Sequence, residues 1–237
     1  MIQFYAPNII ETPILPESDS QHCVRVLRMK EGDNLEIIDG KGNRYTCRLI
    51  DAHPKRAHVE IIDCQPIALS WNNNITIAVA PTKHLDRMEW MVEKLTEIGV
   101  NRIIPLLCRH SERKELKIER LEKIAISAMK QSLKATLPII EPMTPLKNIV
   151  VNCDLQQKFI AYCDATIPRK LLSSEYCANQ DTIILIGPEG DFSIDEIQMA
   201  LSNNFAPISL GDNRLRTETA AIVACDTCHI INQIKSN

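Results

Sequence analysis

The chain has 237 residues, enough to bury a sizeable core in one domain or two, with 45% hydrophobic residues and a formal net charge of −3. No stretch approaches the ~20 apolar residues of a membrane span, and the start MIQFYAPNIIETP has neither the basic residues nor the apolar run of a secretion signal. Nine cysteines, an odd number without a disulfide-like framework, fit a reducing compartment and place the protein in the cytoplasm.

The first 70 residues read as a small β-rich domain. A strand is expected over 2–5, and a short helix from residue 18 or 19 to 28. Arg25 and Arg28 on that helix are read from spacing alone as a solvated face. Three strands follow at 34–38, 44–50 and 57–62, separated by Asp39-Gly40-Lys41-Gly42-Asn43 and Asp51-Ala52-His53-Pro54, both turn signals. Residues 44–50 alternate as a half-buried strand should, and short strands of even spacing suggest a small barrel. The polar break at 68–74 gives the expected boundary, with domains of 1–70 and 71–237.

From Ile75 the pattern changes to strand–helix alternation. A strand at 75–80 is followed by an amphipathic helix at 86–98, with Met88, Met91, Leu95 and Ile98 on one face and Gly99 at the C′ position. A strand at 102–108 leads to a helix at 118–133 with Leu121, Ile124, Ala125, Ala128, Met129 and Ser132 inward. A further strand is expected at 159–162. Such alternation predicts an α/β domain with a mostly parallel sheet covered on both faces. Charge is uneven along this order: residues 71–140 hold 12 Lys and Arg against 8 Asp and Glu, whereas 141–237 hold 7 against 12. A basic middle suits nucleic acid, although a solvated basic helix explains the same charge.

The most informative stretch is DTIILIGPEGDFSIDE, residues 181–196. Residues 182–186 form a continuous apolar run, as in a buried parallel strand. It stops at Gly187-Pro188-Glu189-Gly190, and Ser193-Ile194-Asp195-Glu196 has the spacing of a helix capping box. Two of only seven glycines sit in this loop. A second unit follows: a strand at 206–210, then Gly211-Asp212-Asn213-Arg214-Leu215-Arg216-Thr217-Glu218-Thr219-Ala220. Two such loops at carboxyl ends of strands suggest one pocket with two walls. Ordinary βα turns are the plainer reading, but two arginines and a glutamate crowd a loop that a structural turn would fill with small polar residues. Cys225-Asp226-Thr227-Cys228 with His229 falls inside an apolar-periodic helix, without a second ligand pair, and reads as buried or half-buried thiols.

Several chemistries lack their signatures. There is no Gly-x-Gly-x-x-Gly, no Gly-x-x-x-x-Gly-Lys-Ser/Thr and no Gly-x-Ser-x-Gly, and the six histidines lack metal-ligand spacing. No metal is expected. A compact apolar pocket of backbone amides and carbonyls remains, suited to a neutral adenine-bearing ligand better than to a triphosphate.

The paired motifs, residues 186–193 and 210–220, resemble those of the RsmE family. These are SPOUT-superfamily methyltransferases acting on N3 of a uridine in small-subunit ribosomal RNA. Further matches are His22, Val26, Leu27 and Arg28; Lys83; Glu93, Lys94, Glu97 and Gly99; Ser111, Glu112 and Arg113; and Gln131, Ser132 and Pro138. The resemblance implies a PUA-like RNA-binding barrel, then a SPOUT domain whose C-terminal segment is threaded into a trefoil knot, an exception to the rule against knots. It implies S-adenosylmethionine as cofactor, held by Leu185, Ile186, Gly187, Glu189 and Gly190 on one wall. Ser209, Leu210, Gly211, Leu215 and Arg216 form the other wall, and Ala220 starts the threaded helix. Arg216 and Glu218 are the implied catalytic residues, Glu218 being either a base or a partner of Arg214. Arg25, Arg28, Lys83, Arg113 and Lys134 are the implied RNA contacts.

A homodimer is implied as well, acting on ribosomal RNA or the assembled small subunit. Two positions depart from the family pattern: Asp191 stands where Gly is usual, and Lys134 where Arg is usual. The alternatives are a non-catalytic RNA-binding or ribosome-assembly protein, and a methyltransferase acting on another RNA position.

Overall fold

The computed structural model describes residues 3–163 and 168–235. They form two compact units: 1–70 with 126–137, and 71–125 with 138–237. In the first unit β1 (Gln3–Tyr5), β2 (Asn34–Ile38), β3 (Asn43–Asp51) and β4 (His58–Pro66) make a four-stranded sheet in that order. The β1–β2 pair is parallel and the others antiparallel, and Ile14 extends the sheet by an antiparallel bridge to His58. Ile2, expected at the start of β1, lies outside the described residues. Period-two alternation puts Phe4, Leu35, Ile37, Tyr45, Cys47, Leu49 and Val59 into one core.

The expected helix at 18–28 is α1 (Glu17–Gln21) continued by a π-helical turn, His22–Val26. Arg28, at φ 56°, carries the left-handed backbone that ends it. The Asp39 turn is a hub between β2 and β3. Its carboxylate accepts from the amides of Lys41 (2.7 Å) and Asn43 (3.1 Å), the Asn43 side chain (2.7 Å) and the Tyr45 hydroxyl (3.2 Å).

The second unit is built on β5 (Ile75–Val79), α2 (Leu85–Ile98), β6 (Arg102–Leu107), α3 (Ile118–Gln131), β7 (Ile139–Ile140), β8 (Thr144–Pro145) and α4 (Leu146–Asn152). The chain continues through β9 (Gln157–Ala161), β10 (Lys170–Leu171), α5 (Leu172–Glu175), β11 (Thr182–Ile186), α6 (Ile194–Ser202), β12 (Ala206–Ser209) and α7 (Thr217–Lys235). The end of α3, from Ile126, belongs to the first unit. The sheet order is β10-β12-β9-β11-β5-β6-β7, with β8 beside β6, and every pairing is parallel. This is the mostly parallel α/β sheet that strand–helix alternation predicts. β11 and β5 are buried along their whole length, which is why both read as unbroken apolar runs.

One local reading changes, five short elements are added, and the thiol reading holds. The last helix starts at Thr217 instead of Ala220, because its first turn is anchored by the Thr217 hydroxyl, which donates to the Gly187 carbonyl at 3.1 Å. The five short elements β7, β8, α4, β10 and α5 had no periodic signal. The Cys225/Cys228 pair is fully buried in α7, where burial pushes the Cys228 thiol up to about 12.

Candidate functional site

The site grows out of the carboxyl end of β11. The chain leaves the sheet at Gly187, turns through Pro188-Glu189-Gly190-Asp191 and enters α6. The capping box is formed: the Ser193 hydroxyl accepts from the Glu196 amide (3.4 Å), and the Glu196 carboxylate accepts from the Ser193 amide (2.8 Å). That carboxylate also accepts from the Arg109 amide at 2.8 Å, while the Arg109 guanidinium meets Asp195 at 3.1 Å. The loop is therefore fastened to the exit of β6. On another side, the Glu189 carboxylate accepts from the Lys83 amide, 2.9 Å away, after β5.

The second loop leaves β12 at Ser209. The Ser209 hydroxyl donates to the Gly211 carbonyl (2.9 Å) and accepts from its amide (3.2 Å), folding the turn on itself at φ 118°. Both loops line one cavity of about 930 Å³, within the range of small-molecule and cofactor sites. A third wall comes from the exit of β9, through Tyr162, Cys163 and Arg169. The Arg169 guanidinium lies 5.5 Å from the Tyr162 ring centre and donates to the Tyr162 carbonyl.

The structure brings together Ile186, Gly187, Glu189, Gly190, Ser209, Leu210, Gly211, Leu215, Arg216, Glu218 and Ala220 around this cavity. Leu185 is not among them. Alternation along β11 turns it into the core with Ala78, Leu106 and Ile160, fully buried. Arg216 is exposed on the cavity wall. Glu218 is buried, and its partner is Arg87 of α2, 3.7 Å away. Arg214, the partner considered from sequence, lies exposed in the loop before α7 begins. Arg87 itself lines the cavity and was missed, because spacing on α2 marks it only as a solvent-side residue.

The expected RNA contacts divide between the units. Arg25 and Arg28 are exposed and Lys134 is half-buried in the first unit. Lys83 and Arg113 are in the second, where Lys83 pairs with Glu112 at 3.0 Å. The Arg113 guanidinium donates to the carbonyls of Lys83 (2.8 Å) and Thr82 (3.4 Å), so it also shapes the loop after β5. Lys94 pairs with Glu93 (2.7 Å) and Glu97 (3.0 Å) along its own helix. Among the described residues no cluster of His, Cys, Asp and Glu could hold a metal ion.

The cavity suits an adenosine-bearing ligand on its own chemistry. Residues of both glycine loops line it together with aliphatic Ile186, Ile208, Leu210 and Leu215, and a Cβ placed on Gly211 would meet no atom within 4 Å.

A family model described as an RNA methyltransferase domain matches residues 70–229, and one described as an RNA methyltransferase PUA domain matches residues 15–62. The chain is 32% identical to ribosomal RNA small subunit methyltransferase E of Rickettsia conorii over 86% of this chain and 83% of that one. It superposes with a TM-score of 0.96 on a probable rRNA-methyltransferase from Porphyromonas gingivalis, at 45% identity, covering 99% and 100% of the two chains. It also superposes on ribosomal RNA small subunit methyltransferase E from Neisseria gonorrhoeae bound to S-adenosyl methionine. There the TM-score is 0.84 and the identity 28%, with 98% of each chain covered.

Proposed function

The chain belongs to the RNA methyltransferase family of these relatives, and we propose that it methylates N3 of a uridine in small-subunit ribosomal RNA, using S-adenosylmethionine. The observation that carries the reading is the convergence of both glycine loops, Arg216 and the Arg87–Glu218 pair on one cavity. The methyl donor would lie against residues 186–190 and 209–215; when bound it supplies a methyl group already activated on a sulfonium sulfur.

The protein's own tasks are then alignment and charge. Neutral uracil N3 is a poor nucleophile, so its proton must go to a base as negative charge spreads onto the ring oxygens. Arg216 has the right position and sign to stabilise that charge, or to hold a flanking phosphate. Glu218, fixed by Arg87, is the proton acceptor in this scheme.

The same reading extends to the molecule. Residues 1–70 serve as the PUA-like RNA-binding domain and 71–237 as the SPOUT domain, with α7 threaded as a trefoil knot. Arg25, Arg28, Lys83, Arg113 and Lys134 anchor RNA. The chain acts as a cytoplasmic homodimer, supported by exposed apolar side chains on α7 and α2: Ile230 (47%), Ile234 (69%) and Trp90 (46%). No helix of the described residues is long and apolar enough to cross a membrane.

The test is direct. Purified protein should bind S-adenosylmethionine without added metal, and should restore one N3-methyluridine in small subunits from a strain lacking the family enzyme. Binding of RNA with no methyl transfer to free or assembled substrate would leave an RNA-binding protein instead.

A further inference from the structure

Five described non-glycine residues have positive φ, and Asp191, at 62°, is the one among them that lines the cavity. Left-handed backbone is costly for any residue with a Cβ, though Asp bears it better than most. The contacts of Asp191 give it a role there. Its carboxylate accepts from the Cys163 amide at 2.7 Å, and its second oxygen accepts from the Phe192 amide at 2.8 Å. Its carbonyl oxygen lies 3.0 Å from Nδ1 of His110. One residue thus touches the exits of three strands: β9 through Cys163, β6 through His110, and β11 through its own loop.

We propose that Asp191 is a positioning residue, which clasps the Tyr162–Cys163 wall to the first glycine loop and so sets the width of the cavity for the methyl donor. The β9 exit carries Tyr162 and Cys163, and Arg169 is bound to the Tyr162 carbonyl. Cys163 is held to the glycine loop by an ionised acceptor, a stronger hydrogen bond than a neutral one. Removing the carboxylate frees that amide and loosens the wall, whereas the backbone turn survives in any residue that accepts positive φ.

The ligand part of this inference rests on the S-adenosylmethionine reading; the clasp itself does not. Asp191→Gly keeps the left-handed turn and deletes both acceptors. Hydrogen exchange at the Cys163 amide should speed up about tenfold or more in this variant, with no ligand present. Affinity for S-adenosylmethionine should fall about tenfold by calorimetry, and KM for it should rise by more than kcat falls. Asp191→Asn keeps the side-chain shape, but its single oxygen can accept from only one of the two amides, so it should fall between wild type and Asp191→Gly in both measurements. Unchanged exchange at Cys163 in Asp191→Gly overturns the clasp. Faster exchange with ligand affinity within twofold of wild type overturns its role in the cavity. A wild-type protein that binds no S-adenosylmethionine overturns the functional reading and the ligand assignment together, while the exchange measurement still decides the clasp.

Discussion

Arg216 and Glu218 are two residues apart and sit in different surroundings, which separates their expected phenotypes. Arg216 is exposed on the cavity wall, whereas RNA anchoring is assigned to other residues. Arg216→Ala should therefore lower single-turnover methyl transfer far more than RNA affinity, by ~2–4 kcal/mol of transition-state stabilisation. Wild-type transfer with both ligands bound would remove it from the chemistry. For Glu218→Gln, a rate restored by raising pH would support proton transfer, because a deprotonated substrate no longer needs the base.

The two glycines act differently as well. A Cβ on Gly187 would stand 3.1 Å from the buried Phe192 ring and 3.2 Å from the Phe192 amide, so the close approach serves packing. Gly211 meets no such neighbour; its constraint is φ 118°. Gly187→Ala should lower thermal stability by ~1–3 kcal/mol through overpacking. Gly211→Ala should chiefly weaken S-adenosylmethionine binding, because this exposed loop relaxes out of φ 118° and loses its shape at a smaller cost in stability. Thermal melts beside calorimetry tell the two apart, and equal loss of stability in both would contradict the assignment.

At the scale of elements, the β2–β3 turn offers a test with a definite sign. Asp39 is buried, and burial by itself raises a carboxyl pKa. Hydrogen bonds from Asn43, the Lys41 and Asn43 amides and Tyr45 outweigh it and leave Asp39 below its ordinary value. A depressed pKa means that the stabilisation is present above the unfolded value, near ~3.9, and is lost as pH falls through the lower folded value. Asp39→Asn should be destabilised by ~2 kcal/mol at pH 7, and the gap to wild type should narrow below pH 4. A gap in urea denaturation that does not change with pH would show that the charge is immaterial.

The turn at Asp39 and the capping box were legible because each lies within a few residues of sequence, whereas the hydrogen bonds gathered on the Asp39 carboxylate came only with the fold. The capping box needs only Ser193 and Glu196 in register, and it formed as the spacing predicts. The π-helical turn at His22–Val26 and the early start of α7 were not legible. The first replaces a continuous helix without changing the apolar pattern, and the second depends on the Gly187 carbonyl, 30 residues upstream.

For the whole molecule, the −3 net charge conceals cations that binding can recruit. Arg28→Ala, Arg113→Ala and Lys134→Ala should each weaken RNA binding and make the salt slope shallower, by about 1 per lost phosphate contact. Affinity for S-adenosylmethionine should stay near wild type for Arg28 and Lys134. Arg113 also holds the Lys83 carbonyl, and Lys83 is joined to Glu189, so a modest loss of cofactor affinity is expected there. If cofactor affinity falls as far as RNA affinity at Arg28, that residue is structural. For the proposed dimer, Trp90→Glu with Ile230→Glu should give monomers in analytical ultracentrifugation, and an unchanged mass would exclude this face.

What the sequence determined by itself is local. The Ile-rich runs of β5 and β11, the turns at Asp39 and Gly187, the capped α6 and the amphipathic faces of α2 and α3 follow from contacts between near neighbours in the chain. The tertiary structure decided the rest, because neighbouring parallel strands come from distant segments. Burial of those segments set the order β10-β12-β9-β11-β5-β6-β7, which gathers the exits of β9, β11 and β12 around one cavity. It also turned Leu185 into the core, gave Glu218 its partner 131 residues earlier in Arg87, and brought Cys163 to the Asp191 carboxylate. Periodicity cannot encode such pairings, because each residue reads locally as an ordinary strand, helix-surface or turn residue until packing supplies the other half.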